Sequence, residues 1–213
     1  MRTRALCLDL DGTLADSLPA LRRAYARVVE SCGGTASAEE FAALDGLPFR
    51  EVVERVRAAH ASAESSAQFA RRYRAAVDAE HAASPLREGA RELLVAAAEK
   101  ALRVAVVTSG PAALAERWLA AHALAPRVAF VIGCESTARG KPAPDPYLAA
   151  LSQLGCAARV ARAVEDSPAG AMAALAAGIP TFVLAQGAAL AAFPPGCEFV
   201  SALDEVRARI ADD

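Results

Sequence analysis

The chain has 213 residues, 54% of them hydrophobic, and a formal net charge of -2. This length allows one main core with a small second lobe, and the hydrophobic content excludes a disordered or acidic chain. A charge so close to zero gives no basis for binding nucleic acid or an anionic membrane surface. The five cysteines form no C-x-x-C pair, which predicts reduced thiols in a cytoplasmic protein.

Short apolar runs recur along the chain with helical segments between them. Six runs predict strands, at residues 5–10, 102–108, 127–133, 160–166, 180–185 and 198–201. Apolar strands that are separated by helices indicate a parallel sheet with helices on both faces, which is an α/β fold.

Local signals mark the ends of several helices. Ser167 and Pro168 predict the N-cap and the first residue of one helix, and Asp145 and Pro146 predict the same arrangement for another. Gly155 predicts the end of the second of these helices. Each helix then begins close to the end of a strand, where open α/β sheets bind ligands.

Residues 17–83 interrupt the alternation of strands and helices. They predict helices over 17–32, 49–60 and 64–82. A capping box at Ser37 and Glu40 predicts the start of a further short helix. We therefore expect a helical domain at 17–83, inserted into a core of residues 1–16 and 84–213. An arrangement in which these helices pack on one face of the sheet stays open.

The stretch from Ser167 to Cys197 contains no charged residue. An uncharged apolar run of about 18 residues or more is a candidate membrane span. Here Gly178, Pro180 and Pro194 divide the run into short pieces. A helix, a turn and a buried strand explain it better, so no membrane association is expected.

Two carboxylates, Asp9 and Asp11, stand two positions apart at the end of the first strand, directly before Gly12. In a regular strand both would point to the same face and repel each other. A divalent cation that prefers oxygen ligands would relieve that repulsion. Glu165 and Asp166 end the fourth strand, and in a parallel sheet that end lies at the same edge as Asp9.

Four motifs, in order, resemble those of the haloacid dehalogenase superfamily. They are DLDGT after the first strand, VVTSG at the end of the second, the lysine of GKPAPDPY, and VEDSPAG at the end of the fourth. The helical insert is similar to the cap that this superfamily places after its first motif, so the resemblance covers nearly the whole chain. It implies a Rossmann-like parallel sheet core with an inserted all-helical cap domain, of the β-phosphoglucomutase and phosphoglycolate phosphatase-like group.

The resemblance also implies roles for the acidic residues. Asp9 would attack phosphorus and form an aspartyl-phosphate, and Asp11 would protonate the leaving oxygen and then deprotonate water. Mg2+ would be held by Asp9, by the backbone carbonyl of Asp11 and by Asp166, with Glu165 as a further ligand. A structural role beside the ligands is the alternative for Glu165.

The phosphoryl group would be held by residues of the second and third motifs. Thr108, with the backbone amides of Ser109 and Gly110, would bind phosphoryl oxygens, although Thr108 could instead cap the following helix. Lys141 would neutralise charge at the same place. Only Lys100 and Lys141 among the 23 basic residues are lysines, which favours a specific need for the compact ammonium group at position 141.

The helical insert offers fewer functional signals. Its LDGLPFREVVERV segment resembles the substrate-specificity loop of such caps, with Gly46 allowing a turn and Arg50 contacting the substrate. A solvated arginine is the alternative for Arg50. His60, His81 and His122 lie on predicted helices outside any motif, and we interpret them as surface or core helix positions.

Together these features predict a Mg2+-dependent phosphatase of a small phosphorylated metabolite, either a sugar phosphate or a phosphoglycolate-like ester. Gly170 stands where phosphoglycolate phosphatases more often carry an acid, which argues against that substrate. A β-phosphoglucomutase-like mutase and a non-catalytic binding or regulatory module of the same fold are the alternatives. We expect a monomer or weak homodimer.

Overall fold

The structure is a computed structural model that describes residues 3–44, 47–185 and 187–212. Within them, six strands form one parallel sheet in the order β3-β2-β1-β4-β5-β6. The strands are β1 (Ala5–Leu8), β2 (Arg103–Val107), β3 (Phe130–Ile132), β4 (Ala161–Glu165), β5 (Thr181–Leu184) and β6 (Glu198–Val200). All six predicted strands are confirmed, each shorter than its apolar run.

Nine α-helices are present in the described ranges. They are α1 (Leu18–Ser31), α2 (Ala38–Ala42), α3 (Phe49–Ala59), α4 (Ser66–His81), α5 (Ala90–Glu99), α6 (Ala112–Ala121), α7 (Asp145–Leu154), α8 (Pro168–Ala176) and α9 (Leu203–Asp212). The predicted α/β class is confirmed. None of the helices in the described ranges is both long enough and apolar enough to span a membrane.

Alternate residues of β1 pack on opposite faces of the sheet. Leu6 and Leu8 lie in a core cluster with side chains of α5 and α9, whereas Ala5 and Cys7 lie in a second cluster with side chains of α7 and α8. All four are at most 1% exposed. Because both faces are covered, apolar residues of β1 follow one another instead of alternating with polar residues.

Helices α1 to α4 form a third hydrophobic cluster of their own. Its largest fully buried members are Tyr25 and Phe69, and Leu114 of α6 is its only member from outside the insert among the described residues. The helices span residues 18–81, inside the predicted limits of 17–83. The division into a core and a cap domain at those limits stays a prediction.

The helix starts follow the sequence signals with one exception. Ser167 caps α8 by accepting a hydrogen bond from the Gly170 amide at 3.1 Å, as predicted. The prediction for α7 is wrong by one residue, because Pro144 is the N-cap and Asp145 is already helical. The Asp145 carboxylate instead pairs with Arg139 at 2.9 Å.

The predicted capping box at Ser37 forms only in part. Ser37 accepts a hydrogen bond from the Glu40 amide, but the Glu40 carboxylate accepts one from the Tyr25 hydroxyl at 2.5 Å. A complete capping box forms instead at Ser65 and Gln68, at the start of α4. The sequence analysis missed this box because it began that helix at residue 64.

The strand order places β1 between β2 and β4, and the direction in which strands are added to the sheet reverses there. Ligands of open α/β sheets bind outside the carboxyl ends of the strands at this reversal. Asp9, Thr108 and Glu165, which end the three strands, are therefore brought together.

Candidate active site

Asp9 extends β1 by one residue. Its amide donates a hydrogen bond to the Val164 carbonyl at 3.0 Å, which fixes the backbone just where the carboxylate leaves the sheet. The chain then turns through Gly12, whose φ of +84° favours glycine. A Cβ at Gly12 would lie 1.7 Å from Asp166 Oδ2, so glycine is also required because a carboxylate occupies that space.

Lys141 is 2% exposed and bonds three oxygens. Its Nζ donates to Asp9 Oδ1 at 2.6 Å, to Glu165 Oε1 at 2.5 Å and to the Val107 carbonyl at 2.9 Å. An ammonium group has three donors, so this arrangement uses all of them. Contact with a phosphoryl oxygen would therefore require one of these bonds to be exchanged.

Glu165 is fully buried and holds Lys141 in place. Its Oε1 also accepts a hydrogen bond from the Tyr147 hydroxyl, and its Oε2 accepts one from Ser167 at 3.3 Å. A Cβ at Gly170 would lie 2.0 Å from the Glu165 carboxyl carbon. The absence of a side chain at Gly170 thus leaves room for the Glu165 carboxylate.

The residues at this edge of the sheet fit a magnesium ion. Asp9, Glu165 and Asp166 each offer a carboxylate oxygen, and these oxygens lie within 4.8 Å of one another. Oxygen donors of this kind suit Mg2+. The side chain of Asp11 lies outside this group, so any contribution from Asp11 would come from its backbone, as the resemblance implies.

Two side chains hold the Asp11 carboxyl group: Ser17, directly before α1, and His81, at the end of α4. Ser17 Oγ donates to Asp11 Oδ1 at 2.5 Å, and His81 Nε2 lies 2.7 Å from the same oxygen. His81 is completely buried at the end of α4. Sequence reasoning assigned His81 to helix packing and missed this bond, since no spacing signal links residues 70 positions apart.

Thr108 and the two residues after it border the same space. Thr108 is 4% exposed, and its Oγ1 accepts a hydrogen bond from the Gly110 amide at 3.0 Å. Ser109 and Gly110 line the same cavity as Asp9. Their predicted contacts with phosphoryl oxygens stay predictions.

Burial and the ion pairs with Lys141 act in opposite directions on the pKa values of the central groups. Burial raises the pKa of the Asp9 carboxyl to about 8, although Lys141 acts in the opposite direction, and the neighbouring Glu165 raises it further. Burial alone would lower the pKa of Lys141, but its ion pairs with Asp9 and Glu165 raise it above its ordinary value. These ion pairs therefore favour the charged form of Lys141.

The cavity above these groups has a volume of about 370 Å³ and lies between the sheet edge and the insert. It brings together Asp9, Asp11, Thr108, Lys141 and Asp166.

Arg50 is exposed on α3 and lies outside this lining, so its contact with a substrate stays a prediction that the arrangement does not support. Gly46 lies outside the described residues.

Curated relatives are similar in sequence to this chain over most of its length. Hexitol phosphatase A of Escherichia coli strain K12 is 34% identical over 84% of this chain and 81% of its own. A phosphoglycolate phosphatase of Rhodospirillum rubrum is 33% identical over 86% of this chain and 80% of its own.

A solved structure has the same fold. It is that of a protein described as a candidate β-phosphoglucomutase from Thermotoga maritima, which is 27% identical, covers 99% of both chains and superposes with a TM-score of 0.77. The sequence model of the haloacid dehalogenase-like hydrolases matches residues 6–184, which include all four motifs. The chain therefore belongs to the haloacid dehalogenase-like hydrolase family.

Proposed function

We propose that the protein is a Mg2+-dependent phosphatase that hydrolyses a small phosphate monoester through an aspartyl-phosphate at Asp9. The observation that carries this proposal is the buried Asp9 carboxylate, which lies 2.6 Å from the Lys141 ammonium group and beside Glu165 and Asp166 at the end of β4. A carboxylate attacks a phosphate dianion only where positive charge offsets the repulsion. The names of the two curated phosphatases support the same reaction class.

The side chains divide the reaction between them. A carboxylate oxygen of Asp9 forms a bond to phosphorus while the bond to the ester oxygen breaks, and Asp11 gives its proton to that oxygen. Asp11 then takes a proton from water, whose oxygen attacks phosphorus and releases Asp9. Bound Mg2+ would neutralise charge on the phosphoryl oxygens, held by Asp9 and Asp166 with Glu165 beside them.

The geometry favours hydrolysis over a mutase reaction. A mutase retains a bisphosphate, which requires cations for a second phosphate on the far side of the cavity. Lys141 is the single cation among the described residues that line the cavity, and it lies at the sheet edge. The names of the two curated relatives differ in the alcohol, so they support the reaction class and leave the alcohol to be inferred from the cavity of this chain.

Asp9→Asn tests the nucleophile, because an amide cannot form the acyl phosphate. We expect the variant to lose phosphate release from p-nitrophenyl phosphate with Mg2+ by at least about 1,000-fold. Asp16→Asn is the matched control, since Asp16 is exposed just beyond the same motif and should keep wild-type activity. Retained turnover by Asp9→Asn would refute the assignment.

A further inference from the structure

We propose that the alcohol released by this site is apolar, so that the substrate is an alkyl or aryl phosphate monoester. This inference rests on the proposed phosphatase function and adds the chemical class of the substrate. It comes from the uneven chemistry of the cavity wall, which is polar at one end and apolar at the other.

The polar end of the cavity is the sheet edge. Every charged side chain that lines the cavity in the described residues comes from there, namely Asp9, Asp11, Lys141 and Asp166. The positive charge of Lys141 would attract a phosphoryl group, and the carboxylates would attract a metal ion. They leave the rest of the cavity for the alcohol.

The wall opposite is built by the insert and contains no charged side chain in its described part. It consists of Leu18, Leu21, Phe41, Ala42, Leu44, Leu47, Phe49, Val52, Tyr73 and Val77. The Tyr73 hydroxyl is the one polar side-chain group among them. Leu114 and Pro111 continue the apolar surface from the α6 side.

An apolar wall discriminates against polyols and acids. The hydroxyls of a hexitol or the carboxylate of glycolate would lose their water in the cavity without gaining enough partners from this wall. Buried polar groups that lack partners are destabilising, and an isolated carboxylate is more so. An alkyl or aryl group has no hydrogen bonds to lose there, and the transfer of its apolar surface out of water lowers the free energy.

The lining side chains are accessible rather than closed over. Leu21, Phe41, Leu47, Phe49 and Val52 belong to the insert's hydrophobic cluster but are only partly buried in it. All five line the cavity, so an apolar ligand there would contact them. A cavity of about 370 Å³ lies within the usual size range of small-molecule sites.

A series of alkyl phosphates tests this proposal. Ethyl, butyl and hexyl phosphate release alcohols of similar basicity, so differences in kcat/KM report binding of the chain rather than the chemical step. We expect kcat/KM to rise by about fourfold for each added methylene until the cavity is filled. Hexyl phosphate should then exceed both phosphoglycolate and a hexitol phosphate.

A flat response to chain length, or a higher kcat/KM for phosphoglycolate or the hexitol phosphate, would overturn the inference and leave the phosphatase proposal standing. Failure to release phosphate from any ester, p-nitrophenyl phosphate included, by folded protein with Mg2+ would overturn both.

Val52→Thr provides a second test, because it adds a hydroxyl at nearly constant volume to the cavity wall. It should reduce the gain from ethyl to hexyl phosphate by at least about threefold. Val53→Thr is the matched control, since Val53 is 2% exposed in the same helix but does not line the cavity. If both variants reduce the rise in kcat/KM from ethyl to hexyl phosphate equally, the result would contradict a contact between Val52 and the alkyl chain.

Discussion

At the scale of single residues, the acid at 165 and the glycine at 170 form a matched pair. The carboxylate of Glu165 fills the volume in which a side chain at 170 would lie, with 2.0 Å between the carboxyl carbon and an added Cβ. The carboxylate that bonds Lys141 therefore comes from the end of β4, and an acid at 170 would have no room beside it.

This pairing predicts that moving the acid from position 165 to position 170 recovers part of the kcat/KM that either single substitution loses. Gly170→Asp alone would clash with Glu165, and Glu165→Gly alone would leave Lys141 without one partner, so each should lower kcat/KM. The double variant should be more active than the product of the two single effects, measured as a double-mutant cycle with p-nitrophenyl phosphate. Additive losses would show that the two positions act independently.

His81 is the residue whose importance only the structure reveals. Nε2 of His81 lies 2.7 Å from Asp11 Oδ1, within hydrogen-bonding distance of the carboxyl that the proposed mechanism uses first as acid and then as base. His81 thereby fixes the orientation of the group proposed to move protons. It is a positioning residue, since it acts through Asp11.

His81→Phe should lower kcat by about tenfold or more with little change in KM, because a misplaced acid slows proton transfer rather than binding. His81→Gln, whose amide can donate to the same oxygen, should recover part of the loss. His122→Phe removes a histidine that bonds the Ser84 carbonyl instead and should keep wild-type kcat. A His81→Gln variant no better than His81→Phe would argue for packing alone.

At the scale of elements, the sheet was predictable because its signals are local. The central strands contain continuous apolar runs such as residues 104–107, and a parallel sheet that is covered on both faces favours that pattern. Ser167 and Gly155 likewise mark helix ends through their own backbone geometry. Contacts such as that of His81 with Asp11 depend on how the insert returns to the sheet, and no local pattern encodes them.

The N-cap of α8 joins a helix end to the site. Ser167 Oγ accepts from the Gly170 amide and donates to Glu165, so one hydroxyl both caps the helix and orients the acid. Ser65 caps α4 in the same way, but it is exposed and remote from the cavity.

Ser167→Ala and Ser65→Ala should each lower the free energy of unfolding by about 1 kcal/mol, as N-cap losses do. Only Ser167→Ala should also lower kcat/KM, because Glu165 loses a donor beside Lys141. Chemical denaturation and steady-state kinetics on both variants check the two effects separately. A comparable loss of activity in Ser65→Ala would show that stability alone governs turnover.

At the scale of the whole molecule, the site is assembled from distant parts of the chain. The charged groups come from the ends of β1 and β4 and from the loop that carries Lys141, and the apolar wall comes from four helices inserted after β1. The sequence predicted the first set because motifs mark it. The second set is spread over residues 18–77 without a motif, so its chemistry emerges only when the helices fold together.

The same assembly concentrates negative charge, which predicts that Mg2+ stabilises the folded protein. Asp9, Glu165 and Asp166 each place a carboxylate oxygen within 4.8 Å of the others, and Lys141 pairs with the first two of these carboxylates. The unfolded chain separates these groups, so Mg2+ should bind the native state and raise Tm. At 100 times Kd the gain is about 2.7 kcal/mol, which corresponds to a rise of roughly 5–10 °C for a chain of this size. Thermal unfolding with MgCl2 against EDTA, at matched ionic strength, should show that rise in wild type and in Asp16→Asn, and Asp166→Asn should lose it. An equal rise in all three proteins would place the stabilising ion elsewhere.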